Sequence, residues 1–261
     1  MSTSPVRHIA VWTHQRSMST ALLQWFAGRG DTKTFLEPFL VPLTNGIVND
    51  PIINDVEYQD VKTMLESDYP GHNIVMFKEM AQYVSARYDK IPDGYTHTFL
   101  IRDPNQSIHS YWKIAERKPD PRFGLASLKP VFDLYQYVTQ ELKQTAVIID
   151  AHELSHHPEV MLKTYCQSVN IPFREEMLSW KPAIIDGWHP NLTDYLDTNL
   201  WFGKALQSTS FEPLSENDYT HELSSIPEAG RDALEESRQV YKFLYERRLK
   251  PSVLLCEETD E

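Results

Sequence analysis

The sequence is poor in cysteine and in basic charge, and it contains no long hydrophobic run. Its two cysteines, Cys166 and Cys256, are too few for a disulfide scaffold and do not have metal-ligand spacing. Lysine and arginine total 25 against 37 aspartates and glutamates, and the resulting net charge of −12 argues against a nucleic-acid-binding protein. No apolar stretch approaches the roughly 18 residues that a membrane-spanning helix needs. Any anion-binding site must therefore be a local basic pocket on an acidic protein.

The N-terminus also lacks the apolar core of a signal peptide. Its first residues, MSTSPVRH, lead directly into a strand-like run. We therefore expect a cytoplasmic protein that has no membrane partner and no nucleic-acid partner. The 261 residues are 41% hydrophobic and 24% charged, which is typical of a globular chain with one substantial core. The sequence leaves the oligomeric state open.

Short apolar runs alternate with helical patterns along the chain. The predicted strands are 9–12, 33–39, 72–77, 96–101 and 146–149, and helical patterns occur at 21–27, 78–88, 105–116 and 158–169. Strands separated by helix-length connections predict an α/β fold with a mostly parallel central sheet flanked by helices. We predict a single domain over 1–261, with a closing helix at about 227–249 and an acidic tail at 257–261.

A hydroxyl-rich turn at 13–20 connects the first strand to the first helix, in a P-loop-like arrangement. The helix N-terminus, several hydroxyls and the Arg16 guanidinium would meet there and form an anion cradle. The turn lacks the G-x-x-x-x-G-K-[ST] of a nucleoside-triphosphate loop, and no acidic strand end is evident that could hold magnesium. It predicts a phosphorylated or sulfated ligand that is bound without a metal. The alternative is an ordinary turn that Ser17 or Ser19 caps.

A second cluster begins where the strand at 96–101 ends. Arg102 leaves this strand, and Ser110 lies eight residues on in the following helix. Ligands of parallel sheets bind at the carboxyl ends of the strands, so Arg102 would lie beside the first turn if the two strands are neighbours. The alternative is an arginine that pairs with Asp103 in a turn.

Taken in order, these segments resemble sulfotransferases that use 3′-phosphoadenosine 5′-phosphosulfate (PAPS), and in particular a bacterial-type subfamily that acts on small molecules. The turn at 13–20 resembles their phosphosulfate loop, P-[KR]-S-G-[ST]-T, and 102–110 resembles the R-D-P-x-x-x-x-x-S of their 3′-phosphate site. Further matching segments are FLEPF (35–39), FKEMA (77–81), IIDAHEL (148–154) and QSTSF (207–211). Two departures stand out: Gln15 replaces the usual proline, and Met18 replaces a frequent glycine.

The resemblance implies transfer of a sulfuryl group from PAPS to a hydroxyl, or in second place an amine, of a small molecule by in-line displacement without a metal. Glu37 would be the general base, Arg16 would stabilise the transferred group, and Lys78 would face it. If Glu37 is not the base, His14 or Lys78 becomes the next candidate. The residues implied to bind the donor, the last three by weaker correspondence, are Arg16, Ser17, Met18, Ser19, Thr20, Arg102, Ser110, Ser208, Thr209 and Ser210.

Several alternatives stay open at the level of sequence. The chain could be a P-loop-like ATP-dependent kinase, or a non-catalytic nucleotide-binding protein on the same fold. Glu37 could make a structural hydrogen bond, and Lys78 could form a surface ion pair. The acceptor pocket is expected from residues 41–70 and 181–207, but the sequence does not identify the acceptor.

Overall fold

The computed structural model describes residues 5–43, 56–115, 127–182, 198–214 and 228–251. Its strands are β1 (Arg7–Thr13), β2 (Thr32–Leu36), β3 (Ile74–Met80), β4 (Thr96–Ile101) and β5 (Val147–Asp150). Its α-helices are α1 (Ser19–Ala27), α2 (Leu40–Leu43), α3 (Tyr58–Leu65), α4 (Pro104–Ala115), α5 (Lys129–Gln136), α6 (Ala151–His156), α7 (Pro158–Ser168), α8 (Thr198–Leu206) and α9 (Glu228–Glu246). None of the helices in these ranges is long and apolar enough to cross a membrane.

Within the described ranges, the five strands form one sheet in the order β2-β3-β1-β4-β5. Every neighbouring pair is parallel, which confirms the predicted α/β fold and makes the sheet parallel throughout. The central strand is β1, whose residues 9–12 are completely buried, as expected for a strand covered on both faces. Since β1 pairs with both β3 and β4, the loops that follow these three strands meet at one edge of the sheet.

The two faces of the sheet pack against separate apolar cores. Trp12 and Phe77 belong to the core on one face, whereas Val11 and Met76 belong to the core on the other. This division follows from the alternation of side chains along a strand. Helix α1 covers the second face with residues such as Trp25, which is fully buried. Burying one large apolar side chain contributes roughly 1.5–3 kcal/mol, so these contacts fix the position of α1 and of the loop before it.

One predicted element is wrong. Residues 78–88 were expected to be helical, but β3 continues through Met80, and a short 3₁₀ turn (Ala81–Val84) follows it. Lys78 and Glu79 can remain in the buried strand because both find partners there. The helices expected at 105–116, 158–169 and 227–249 are confirmed as α4, α7 and α9. The acidic tail at 257–261 lies outside the described residues.

The residues after α9 fasten this helix to the end of β5. The Leu249 amide donates a hydrogen bond to the Ile148 carbonyl at 2.8 Å, and Arg248 forms an ion pair with Glu153 of α6. From α9 itself, the Tyr241 hydroxyl donates to the Asp150 carboxyl at 2.9 Å. The Asp150 carboxyl also caps α6, because it accepts the backbone N–H groups of the first turn. Asp150 therefore joins β5, α6 and α9.

We predict that Asp150 makes the stability of the fold depend on pH. Burial raises the pKa of Asp150 to about 6 from an ordinary 3.8. Between pH 3.8 and pH 6, the folded chain holds a proton on Asp150 that the unfolded chain releases. The contribution of Asp150 to the free energy of unfolding is therefore complete below pH 3.8 and is lost as the pH rises past 6. Asp150→Asn removes the titration but keeps the shape of the side chain. The free energy of unfolding of the unmodified protein, relative to the variant, should fall by roughly 2–3 kcal/mol between pH 4 and pH 7.

This dependence can be measured by urea denaturation of both proteins across the same pH range. The comparison cancels the other titrating groups, which the two proteins share. A stability difference that stays constant or grows with pH would contradict the role given to Asp150.

Candidate active site

A cavity of about 630 Å³ opens at the edge of the sheet where the strands end. Such a volume is within the range of small-molecule sites. Of the residues predicted for the site, those that line it are Arg16, Ser17, Met18, Ser19, Thr20, Glu37, Lys78, Arg102, Ser110, Ser208 and Ser210. Thr209 is not among the lining residues; its side chain is exposed, and its carbonyl accepts the Trp180 N–H at 2.8 Å. The structure thus gathers residues from five separate segments of the chain.

The loop between β1 and α1 forms one wall of the cavity. Arg16 and Met18 both have left-handed backbone conformations, with φ of 62° and 68°. For residues other than glycine, such conformations cost on the order of 1–3 kcal/mol each and persist only when the surroundings enforce them. Here the Thr13 hydroxyl contacts the Ser17 hydroxyl and donates to the Leu100 carbonyl at 3.2 Å, which ties the loop to β4.

The start of α1 faces the cavity without a side-chain cap. The N-cap residue is Met18, which makes no side-chain hydrogen bond to the helix. The alternative that Ser17 or Ser19 caps this helix is therefore wrong. The hydroxyls of Ser19 and Thr20 line the cavity beside the first helical turn. Together with the positive end of the helix dipole, these groups suit an anion.

Two arginines meet at this loop, because Arg16 belongs to it and Arg102 directly follows β4. Arg102 donates from Nη1 to the Arg16 carbonyl at 2.7 Å, and Arg16 donates from Nε to the Ser110 hydroxyl at 3.0 Å. Burial, together with the charge of Arg102, lowers the pKa of Arg16 to about 10, so Arg16 stays cationic at neutral pH, as guanidinium groups in proteins generally do. Two like charges held this close repel each other, and an anion bound between them would remove that penalty.

His14 supports the loop from behind the cavity. It is buried, it is not among the lining residues, and its Nε2 accepts the Arg102 backbone N–H at 3.1 Å. Burial and the nearby Arg102 charge lower the pKa of His14 to about 3, so its imidazole is neutral. Because its Nε2 lone pair is already engaged, His14 is badly placed to take a proton from a substrate. Its interactions instead orient Arg102.

Another part of the cavity wall is a buried ion pair between Glu37 and Lys78. Lys78 donates from Nζ to Glu37 Oε1, and the side chains are only 1% and 3% exposed, for Lys78 and Glu37 respectively. The alternative of a surface ion pair for Lys78 is therefore wrong about the location of the pair, which is buried. The Lys78 ammonium also lies 5.9 Å from the centre of the Phe202 ring. Both members of the pair belong to the cavity wall.

The backbone at Glu37 is held in a strained conformation. Its φ is 49°, and it precedes Pro38, whose ring disfavours helical conformations in the preceding residue. The Glu37 amide donates to the Lys78 carbonyl at 2.8 Å, which holds the chain against β3. Strain at a residue that also lines a cavity is typical of functional positions, and its cost is of order 1–3 kcal/mol.

Sequence reasoning missed Glu79, which lies next to this pair. Glu79 is completely buried, and its carboxyl accepts the backbone N–H groups of Phe39 at 2.6 Å and Met80 at 2.8 Å. Burial and the charge of Glu37 raise the pKa of Glu79 well above its usual range. The sequence does contain a signal for Glu79, because two opposite charges at 78–79 interrupt an apolar run. The helix predicted at 78–88 nevertheless gave neither Lys78 nor Glu79 a buried role.

Other lining residues were also not singled out from the sequence. Aromatic and apolar side chains of Met80, Tyr83, Tyr111 and Phe202 contribute to the wall, and Lys204 and Glu212 add charges. Within the described ranges, no group of three or more histidine, cysteine, aspartate or glutamate side chains could hold a metal ion. The cavity therefore combines a cationic, hydroxyl-rich part with a part that carries one buried carboxylate–ammonium pair and aromatic rings.

We predict that the Glu37–Lys78 pair is strongly coupled. Lys78→Met leaves the Glu37 carboxylate buried without its cation and should reduce the free energy of unfolding by roughly 3–5 kcal/mol. Combining Lys78→Met with Glu37→Gln removes both charges and should recover most of that loss. Urea denaturation of the two single variants and the double variant measures the coupling. If the loss of unfolding free energy in the double variant equals the sum of the losses in the two single variants, the two charges do not interact.

The sequence of this chain is similar to those of known proteins. A family model described as a sulfotransferase domain matches residues 7–240. Branched-chain-amino-acid aminotransferase-like proteins 1 and 2 of Arabidopsis thaliana are 27% and 28% identical to the chain, over 89% and 90% of its length. The chain spans only 40% and 41% of the length of those two proteins.

Two solved structures have a similar fold. The sulfotransferase domain from the Synechococcus PCC 7002 olefin synthase superimposes with a TM-score of 0.53 at 14% identity, covering 90% of this chain and 96% of that domain. The sulfotransferase domain from the curacin biosynthetic pathway gives 0.50 at 15% identity, covering 89% of this chain and 98% of that domain. At these identities the likeness concerns the fold alone.

Proposed function

This chain belongs to the sulfotransferase-domain family, and from that premise we propose that it moves a sulfuryl group from PAPS to a hydroxyl of a small molecule, with an amine as the second choice of acceptor. The family and the fold support sulfotransferase activity in general. The observation that carries the finer proposal is the meeting of two arginines and Ser110 with the Glu37–Lys78 pair in one cavity. Cations that suit an anionic donor and a carboxylate that suits activation of an acceptor therefore line the same cavity.

The residues of the cationic part fit a donor that carries two phosphate groups. The start of α1, with the hydroxyls of Ser17, Ser19 and Thr20, suits the 5′-phosphate. Arg102 and Ser110 suit the 3′-phosphate, and Arg16, which precedes Ser17 in the loop, contacts both of them. The donor supplies the sulfuryl group and leaves as adenosine 3′,5′-bisphosphate. A bound anion would also relieve the repulsion between Arg16 and Arg102.

The remaining chemistry needs only side chains that line the cavity. Glu37 takes the proton of the acceptor hydroxyl as the acceptor oxygen bonds to sulfur and the bond from sulfur to the bridging oxygen breaks. Arg16 and the Lys78 ammonium stabilise negative charge on the sulfuryl and departing oxygens. Lys78 can do so because its ammonium touches Glu37 and lines the same cavity. The rings of Tyr83, Tyr111 and Phe202 would exclude water from the acceptor.

The first prediction from this proposal concerns donor selectivity. Adenosine 3′,5′-bisphosphate should bind more tightly than adenosine 5′-phosphate, because the 3′-phosphate gains charge-assisted hydrogen bonds worth roughly 1.5–3 kcal/mol. Arg102→Ala should remove most of that preference, as measured by calorimetric titration with both nucleotides. The matched control is Arg231→Ala, an exposed arginine on α9 that does not line the cavity. Equal affinities for the two nucleotides in the unmodified protein would rule out the 3′-phosphate site and favour a different nucleotide, such as that of an ATP-dependent kinase.

The second prediction concerns the general base. Glu37→Gln keeps the shape of the side chain and an acceptor oxygen for Lys78, but it removes the basic carboxylate. Sulfate transfer should fall by roughly a hundredfold to ten-thousandfold, while the affinity for adenosine 3′,5′-bisphosphate stays within about twofold. The assay follows transfer of labelled sulfate from PAPS to a pool of small hydroxylated compounds.

Glu176→Gln is the control for this change, because it makes the same substitution at an exposed position outside the cavity. Full activity of Glu37→Gln would exclude Glu37 as the base and leave Lys78 as the next candidate. Nucleotide binding without any transfer by the unmodified protein would instead favour a non-catalytic nucleotide-binding role.

A further inference from the structure

Two adjacent residues of β3 hold the segment 37–39 from opposite faces of the sheet. Successive side chains of a strand point to opposite faces, so the side chains of Lys78 and Glu79 diverge. Lys78 contacts the Glu37 side chain, whereas Glu79 accepts the Phe39 N–H at 2.6 Å. Between the two side chains, the Lys78 carbonyl accepts the Glu37 N–H at 2.8 Å. The segment is therefore fixed at both of its ends and at its side chain.

The Glu79 carboxyl is itself fixed. One oxygen accepts the Phe39 N–H and the other accepts the Met80 N–H at 2.8 Å, and the residue is completely buried. A carboxyl can accept both hydrogen bonds, because each of its oxygens has free lone pairs. Glutamine offers a single oxygen, and its NH₂ group would face one of the two N–H donors. The site therefore requires an acid rather than an amide of the same shape.

Burying a second carboxyl group beside Glu37 is energetically unfavourable. Glu79 is surrounded by protein, and the neighbouring Glu37 carboxylate repels its ionised form. The hydrogen bond from the Phe39 amide to Glu79 lies two residues beyond Glu37. The Glu37 backbone has a strained φ of 49°, and it would relax if this hydrogen bond were lost. Relaxation would displace the Glu37 carboxylate from its position in the cavity wall.

We propose that Glu79 is a positioning residue, which fixes the Glu37 carboxylate for proton transfer by holding the Phe39 amide from the opposite face of the sheet. The proposal rests on the proposed role of Glu37 as the general base. Glu79 does not line the cavity, so it acts through Glu37 rather than on the substrate. A displacement of a catalytic group by about 1 Å can cost up to a hundredfold in rate, which sets the scale of the expected effect.

The kinetic test is a cycle of Glu79→Gln, Glu37→Gln and the double variant. Glu79→Gln should lower kcat for sulfate transfer by about tenfold to a hundredfold, with the KM for PAPS unchanged and one adenosine 3′,5′-bisphosphate still bound per chain. In the Glu37→Gln background the same change should have no further effect, because the base that Glu79 positions is already absent. An equal loss in both backgrounds, or an unchanged kcat in the single variant, overturns the proposal.

A second arm does not depend on activity. Amide hydrogen exchange should accelerate at Glu37 and Phe39 in Glu79→Gln by at least about tenfold, while the amides of β1 and β4 keep their protection. Unchanged exchange at both amides overturns the proposal. If the unmodified protein transfers no sulfate, the proposed function fails, and this arm still decides whether Glu79 holds the segment. If Glu79→Gln does not fold, Glu79→Asp carries the same tests, because its carboxyl is one methylene too short to reach both amides.

Discussion

The parallel pairing of β1 with β3 on one side and β4 on the other is the constraint on which the candidate site depends. Parallel strands bring their carboxyl ends to the same edge, so the loop with Arg16, the end of β3 with Lys78 and the start of α4 after Arg102 must meet. The pairing of β2 with β3 adds Glu37 to this edge, since Leu36 lies opposite Lys78. The buried apolar residues 9–12 of β1 favour this central position, because a strand there is covered on both faces of the sheet.

The cavity at this edge of the sheet is rich in cations, although the chain as a whole is acidic. The protein carries a net charge of −12, yet four of its cations line one cavity, namely Arg16, Lys78, Arg102 and Lys204. One of these is balanced internally, because Lys78 pairs with Glu37. The contact between the Arg16 carbonyl and the Arg102 guanidinium keeps two more in proximity despite their repulsion. Such an arrangement suits anions whose charges match its positions, whereas a uniformly basic surface would attract any polyanion.

Sequence reasoning succeeded where a local pattern determines the structure and failed where tertiary contacts do. The strand, turn and helix at 7–27 were predictable because apolar periodicity changes there from a buried run to a helical spacing. Arg102 could be placed beside the first turn because parallel sheets bring strand ends together. Residues 78–88 have an apolar spacing that also fits a helix, and only the buried partners of Lys78 and Glu79 favour the strand. The position of Thr209 outside the lining likewise depends on its bond to Trp180, which is distant in sequence.

Backbone strain is concentrated at the same edge of the sheet. Of the six non-glycine residues with positive φ in the described ranges, Arg16, Met18 and Glu37 line the cavity. Met18 shows how the chain tolerates this strain without the glycine that related loops often carry. Its side chain packs against the apolar core beneath α1, and that burial offsets part of the cost of the left-handed conformation. Glycine would relieve the strain, but it would lose the packing and give the loop more freedom in the unfolded chain. The methionine therefore helps to hold the start of α1 and the arginine two residues before it in place through its contacts with the core.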